Sequence, residues 1–220
     1  MYGMYGYGYG YGFDPTIILV LIGVALSLWA QGRVNSTFSR YSRVRSMTGM
    51  TGAEAARRLL NAQGIYDVTV QPIAGELTDH YDPRTKTVNL SQSVYGATSV
   101  AAIGVAAHEC GHAMQDNEGY APLRFRSALV PVANFGSSLS WPLILLGLVF
   151  GGLGSPLVEI GILMFSLAVL FQLVTLPVEY NASARAVRLL DSQGILAGEE
   201  VSGTRKVLNA AALTYVAAAA

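Results

Sequence analysis

A polytopic, α-helical membrane protein carrying one small α+β region is the fold class this sequence predicts, on three observations. Apolar residues make up 52% of the 220-residue chain and gather into long runs instead of spreading periodically. Three runs, Phe13–Gly32, Val130–Leu153 and Val158–Leu176, are long enough to cross a bilayer and carry almost no charge. Between the first two lies a stretch with ordinary turn, strand and helix signals, long enough for a small folded region. The 14 acidic and 14 basic residues balance, and no basic stripe is interleaved with aromatics, so no nucleic acid is expected as a partner. The single cysteine, Cys110, excludes an intramolecular disulfide framework.

Residues 1–12 form a Tyr/Gly-rich tail, too poor in aliphatic residues to order by itself. Residues 13–32 read as the first transmembrane helix, with Trp29 as an interfacial anchor. An uncleaved anchor is favoured over a signal peptide, because no Lys or Arg precedes the run and Ala-Gln-Gly is a poor cleavage site. Arg33, Arg40, Arg43 and Arg45 follow it, whereas only Asp14 precedes it, so the positive-inside rule places residues 33–129 in the cytoplasm.

Within 33–129, Thr51 and Glu54 spell a capping box for a helix over Ala55–Ala62 that stops at Gly64. Val68–Ile73 alternates as a strand, and Leu77–Tyr81 reads as a second one carrying His80. Asp82–Thr85 makes a turn around Pro83, and Lys86–Leu90 returns as the second arm of a hairpin. If that returning strand is a sheet edge, it can pair with an extended peptide. Thr98 and Ser99 then cap a helix that opens with the apolar run Val100–Ala107 and stops around Asp116–Gly119.

That helix carries His108-Glu109-Cys110-Gly111-His112. Residues four apart share a helix face, so both imidazoles can aim at one point, and Glu109 reaches the same space from one position round. This pattern suits Zn²⁺, which would take a third protein ligand and activate a water for Glu109 to deprotonate. The competing reading is two histidines satisfied by neighbours, which would leave a carboxylate and two polar rings needing partners on an apolar helix. Three residues are candidates for the third ligand. His80 is local, but as a strand residue it reads as a partly exposed structural histidine. Glu118 stands where an extended motif has its third histidine, but Gln115 replaces the glycine that turns such a chain back. Glu179 shares the predicted cytoplasmic side and has Asn181 and Ser183 as polar companions; its alternative role is to favour a helix N-terminal dipole.

Residues 130–176 read as a transmembrane hairpin whose uncharged connection, Gly154–Pro156, lies outside the cell; Glu159 falls near its outer end. Pro177 opens a new cytoplasmic helix, Val178–Leu190, and the segment 177–206 ends in a polar connector holding Glu199, Glu200, Arg205 and Lys206. Residues 207–220 are the start of a fourth span, too short as it stands. The expected location is the cell membrane, multi-pass, with the catalytic region in the cytoplasm.

Four blocks together resemble the YugP-like family of predicted membrane zinc metallopeptidases: Tyr-Asp-Pro-Arg-Thr-Lys-Thr at 81–87, Val-Ala-Ala-His-Glu-Cys-Gly-His-Ala-Met-Gln at 105–115, Pro-Val-Glu-Tyr-Asn-Ala-Ser at 177–183, and Leu-Asn-Ala-Ala-Ala-Leu-Thr-Tyr-Val-Ala at 208–217. With the intervening spans, the likeness covers nearly the whole chain after the tail. More distantly, the chain resembles HtpX-like membrane gluzincins, which place a ligand Glu on a helix after a membrane hairpin. The resemblance implies a zincin-like α+β catalytic region with His108, His112 and Glu179 as zinc ligands and Glu109 as catalytic base. Where the HtpX-like pattern has Asp four residues after the ligand Glu, this chain has Ser183.

The resulting expectation is a membrane-bound, zinc-dependent metalloendopeptidase acting on membrane-associated or misfolded proteins or peptides at the lipid bilayer. Tyr215 or Arg205 would assist at the oxyanion. A site-2-type intramembrane protease would need the motif inside a full span, whereas Val100–Ala107 supplies a much shorter run before His108. The non-enzymatic rival is a zinc-binding membrane adaptor or quality-control scaffold without catalytic activity.

Overall fold

The computed structural model describes residues 16–153 and 155–219; the tail expected over 1–12 lies outside them. The described residues form seven helices and one three-stranded sheet. The first helix, α1, runs Thr16–Ser42, so it carries on well past the end of the apolar run expected to span the membrane. Its apolar part turns Leu21, Leu28 and Trp29 outward, whereas its polar continuation contributes Phe38 and Tyr41 to the edge of the core.

The capping box forms as the sequence reads it. Glu54 N donates to Thr51 Oγ1 at 3.2 Å and Thr51 N donates to Glu54 Oε2 at 2.8 Å, opening α2 over Gly52–Ala62. Ala55, Ala56, Leu59 and Leu60, spaced three to four apart, form its buried face. Thr51→Ala removes the bonds of the Thr51 hydroxyl, accepted from Glu54 N and donated to Glu54 Oε2, and the expected cost is about 1 kcal/mol. Thermal unfolding of the detergent-solubilised variant measures it, and an unchanged midpoint would contradict it.

The sheet consists of β1 (Thr69–Ile73), β2 (His80–Asp82) and β3 (Thr87–Ser91) in the order β1-β3-β2. β2 and β3 are the antiparallel hairpin the turn predicts, with Asp82 Oδ1 accepting from Arg84 N at 2.9 Å. β1 pairs parallel with β3, Thr69 opposite Thr87. The strand nearest the motif helix in sequence, β3, is therefore central and fully buried, not a free edge. The outer edge beside the motif belongs to β2 instead.

A short turn of helix, α3 (Gln92–Tyr95), leads into α4, Val100–Asn117, where Ser99 Oγ accepts from Ala102 N as the cap. Fourteen of its residues are buried, including Cys110, whose thiol approaches Ala56 O and has its pKa pushed up by burial. α4 is the centre of the core, surrounded by α2, the sheet, and two helices from later in the chain.

Those later helices are long. α5 spans Ala121–Gly151 and α6 spans Pro156–Ser192, and both are long and apolar enough to cross a membrane. They pack against each other through small residues: a Cβ on Gly136 would sit 2.8 Å from Met164 O, and one on Gly161 would sit 3.0 Å from Ser140 O. Large apolar side chains such as Trp141 and Phe150 point outward.

One expectation is corrected here. Pro177 does not open a new helix; α6 runs through it, so the membrane run and the segment bearing Glu179 are one rod. Proline removes its own N–H and crowds the carbonyl four residues back, a local loss that packing on both sides of it can outweigh. α5 likewise runs through Pro131 and Pro142. The last helix, α7 (Glu199–Ala219), lies against α1, α4 and α6.

Candidate metal centre

α4 presents His108 and His112 one turn apart, and α6 crosses it at the level of Glu179. His108 Nε2 lies 3.0 Å from Glu179 Oε2, and His112 Nε2 lies 3.5 Å from the same oxygen. One ligand atom from each of the three residues falls within 4.8 Å of the others. Ligands held at zinc distances in a tetrahedron sit roughly 3.3 Å apart, so this set fits that ion.

The far nitrogens of both rings are held. Gln115, wholly buried, donates through Nε2 to Val178 O at 2.9 Å and to Asn181 Oδ1 at 3.0 Å. Those two bonds turn its Oε1 toward His112 Nδ1, 3.0 Å away, so Nδ1 carries a proton and Nε2 is the nitrogen that faces Glu179. Ser183 Oγ meets His108 Nδ1 at 3.1 Å. Both imidazoles thus point Nε2 at the same oxygen of Glu179.

The close crossing depends on Gly111, midway between Glu109 and Ala113 on α4: a Cβ there would lie 2.6 Å from Ala182 O. Burial works against charge on Glu179, but hydrogen bonds from His108 and His112 outweigh it and hold the carboxyl well below its ordinary pKa. Burial disfavours a charged His108 too, yet its bond to Glu179 and the nearby Glu109 carboxylate raise its pKa.

Glu109, 8% exposed, is steered by the sheet: Tyr81 N donates to Glu109 Oε2 at 3.0 Å across the outer edge of β2. β2 is in turn tied to the end of α4, where Asp116 Oδ2 accepts from Tyr81 Oη at 2.8 Å and from Lys86 Nζ at 2.6 Å. Burial raises the Asp116 pKa, but those two bonds outweigh it and lower the net value. Glu109, the two histidines and Glu179 open on one cavity of about 390 Å³. Its remaining wall is mostly apolar, with Phe38 from α1, Leu123 from α5 and Leu208 from α7.

The other candidates are placed as follows. His80 reaches the cavity wall, but its Nδ1 donates to Thr78 O and its Nε2 accepts from Asn89 Nδ2, so both nitrogens are engaged. Glu118 caps α4 and pairs with Arg185 Nη1 at 2.6 Å, outside the cluster. Tyr215 lines the cavity, whereas Arg205 lines a separate groove between α6 and α7. Two participants went unread in the sequence. Gln115 could have been found by its i, i+3 spacing from His112. Arg126, whose Nη2 lies 3.7 Å from Glu179 Oε1, carries no local signal, because only the tertiary crossing brings α5 there.

The comparisons with known proteins give the family. A chain 51% identical over 92% of this one and 89% of its own length is described as "Putative membrane protease YugP", from Bacillus subtilis (strain 168). No solved structure matches significantly. The family model described as "Putative neutral zinc metallopeptidase" matches residues 16–220, and the chain belongs to that family.

Proposed function

We propose that this protein is a multi-pass membrane metalloendopeptidase in which His108, His112 and Glu179 hold zinc and Glu109 is the general base. The observation that carries the reading is the convergence of three ligand atoms, two of them on rings held by Gln115 and Ser183, beside a carboxylate held by a strand edge. Zinc bound there would supply Lewis-acid polarisation of the scissile carbonyl and a lowered pKa for the attacking water. The chain's own residues do the rest. Tyr81 N–H holds one oxygen of Glu109, leaving the other to take the water's proton and pass it to the departing amine. An extended peptide lies along the outer edge of β2, with its side chains against the apolar wall of the cavity. Tyr215, on that wall, is the better placed of the two oxyanion candidates.

In this reading α1, α5 and α6 cross the bilayer through residues 13–32 and 130–176. The zincin-like α+β region then faces the cytoplasm, in keeping with the arginines that follow the first span. Substrates are membrane-associated or misfolded proteins or peptides reaching the site at the bilayer surface.

Elemental analysis of the detergent-purified protein tests the site. About one zinc per chain is expected in the wild type, lost in both His108→Ala and Glu179→Ala. Zinc retained without Glu179 would remove it from the ligand set, and a wild type purified without chelators yet free of zinc would favour the scaffold reading. Gln115→Ala frees the His112 ring and should weaken zinc binding roughly 10- to 100-fold in competition with a chelator. An unchanged affinity would show that the ring needs no such partner.

A further inference from the structure

On the far side of α1 and α7 from the cavity lies a second built feature. Tyr41 packs where a Cβ on Gly203 would stand, 2.5 Å from its ring, which brings the two helices together. Beyond that contact the helices diverge around a groove of about 580 Å³. From α1 it takes Arg33, Ser36, Thr37 and Arg40, and from α7 it takes Lys206 and Asn209, each set at helical three-to-four spacing. No carboxylate among the described residues lines the groove. Among the described residues, Arg33, Arg40 and Lys206 make no ion pair. Three cations thus face one groove together with hydroxyl and amide donors, an arrangement that repels itself unless an anion joins it.

The depth of the groove identifies the anion. Arg33 is the first charge after the apolar run of α1, which ends at Gly32, and Lys206 is the last charge on α7 before the apolar run that starts at Val207. Arg33 therefore marks the level at which α1 leaves the bilayer, and Lys206, three residues on from the Gly203 contact with Tyr41, faces the same groove further along α1 toward Arg40. Arg33 to Arg40 spans roughly 10 Å of helix axis, comparable with the roughly 5–8 Å headgroup layer of one leaflet. We infer that the groove between α1 and α7 binds the phosphate headgroup of an anionic glycerophospholipid. Arg33 and Lys206 take the phosphate, and the acyl chains run along the exposed apolar face of α1. The opposite faces of the same two helices carry Val34, Phe38, Leu208 and Tyr215 into the candidate catalytic cavity, so the bound lipid braces that wall.

The inference rests on α1 crossing the bilayer but not on any peptidase activity. Flotation of the full chain with vesicles of neutral phosphatidylcholine tests the crossing first. A chain that stays soluble and lipid-free without detergent would overturn both the membrane reading and the lipid site. Native mass spectrometry of the protein in neutral detergent then tests the groove, with phosphatidylglycerol, phosphatidylcholine and inorganic phosphate as probes. Retained phosphatidylglycerol adducts are expected in preference to phosphatidylcholine, with inorganic phosphate a weak competitor. The double variant Arg33→Gln/Lys206→Gln should bind phosphatidylglycerol roughly 20-fold more weakly. Arg40→Gln should show a smaller loss, and Arg84→Gln, an exposed charge on the sheet turn, none. Zinc content and helical circular dichroism confirm that the variants fold, and Arg40→Gln serves alone if the double variant does not. Equal binding of the two lipids, or unaltered phosphatidylglycerol adducts in the variants, would overturn the proposal. Inorganic phosphate competing as tightly as the lipid would make this a soluble-anion site instead.

Discussion

Glu109→Gln should abolish peptide hydrolysis, lowering kcat by about three orders of magnitude, while zinc content and thermal stability stay at wild-type levels. The geometry is why the two properties separate. Glu109 is outside the ligand cluster, and among the described residues its side chain accepts one hydrogen bond, from Tyr81 N at 3.0 Å. A glutamine oxygen accepts that N–H equally well, so the side chain keeps its place and loses only its ability to take a proton. Single-turnover hydrolysis of a fluorogenic apolar peptide, run beside elemental analysis, measures both. Retained turnover would remove Glu109 from the chemistry. Loss of zinc along with turnover would make Glu109 part of the metal site. A cellular phenotype that survives the substitution, with zinc in place, would favour the adaptor.

What could be read from the sequence is what is local in the chain. Thr51 with Glu54 and Ser99 before Val100 act within a few residues of themselves, and both caps form where they are expected. The i, i+4 spacing of His108 and His112 fixes a shared face whatever the rest of the chain does. Glu179 was approachable because topology and polar neighbours narrow the choice, and the structure brings its carboxylate to both rings. What escaped depends on pairing or on balance between distant parts. The parallel partnership of β1 with β3 leaves no mark in either strand, so β3 read as a hairpin arm that could have been an edge. Pro177 carries a strong local signal for a boundary, yet α6 is held on both sides of it by α5, α4 and α7, and the packing prevails. Arg126 becomes a neighbour of the site only when α5 folds back on α4, and Gln115, already beside His112, gains the two bonds that aim its Oε1 only when α6 does.

Gly111→Ala should cost the protein its zinc while changing its intrinsic stability far less. A methyl group at 111 would meet Ala182 O at 2.6 Å and Ala182 C at 3.0 Å, both backbone atoms of α6 that no side-chain rotation can move. Restoring an ordinary contact near 3.5 Å requires the helices to separate by roughly 0.5–1 Å. Ala182 sits between Glu179, one turn before it, and Ser183, which holds His108, so that displacement falls on the third ligand and on the orientation of the first. Metal ligation tolerates only about 0.2 Å, and zinc affinity should drop by roughly 100-fold or more. Stability responds differently because two terms oppose each other. Overpacking costs about 1–3 kcal/mol, whereas alanine in place of glycine inside a helix returns about 1 kcal/mol. The metal-free variant should therefore unfold within about 2 kcal/mol of the metal-free wild type. Gly32→Ala, on α1 with nothing within 4 Å of the added carbon, is the control and should keep both properties. Chelator competition and unfolding of the metal-free proteins give the two numbers. Zinc bound as tightly by Gly111→Ala as by the wild type would mean that α6 yields without carrying Glu179 away, and the glycine of the motif would then be dispensable to the site.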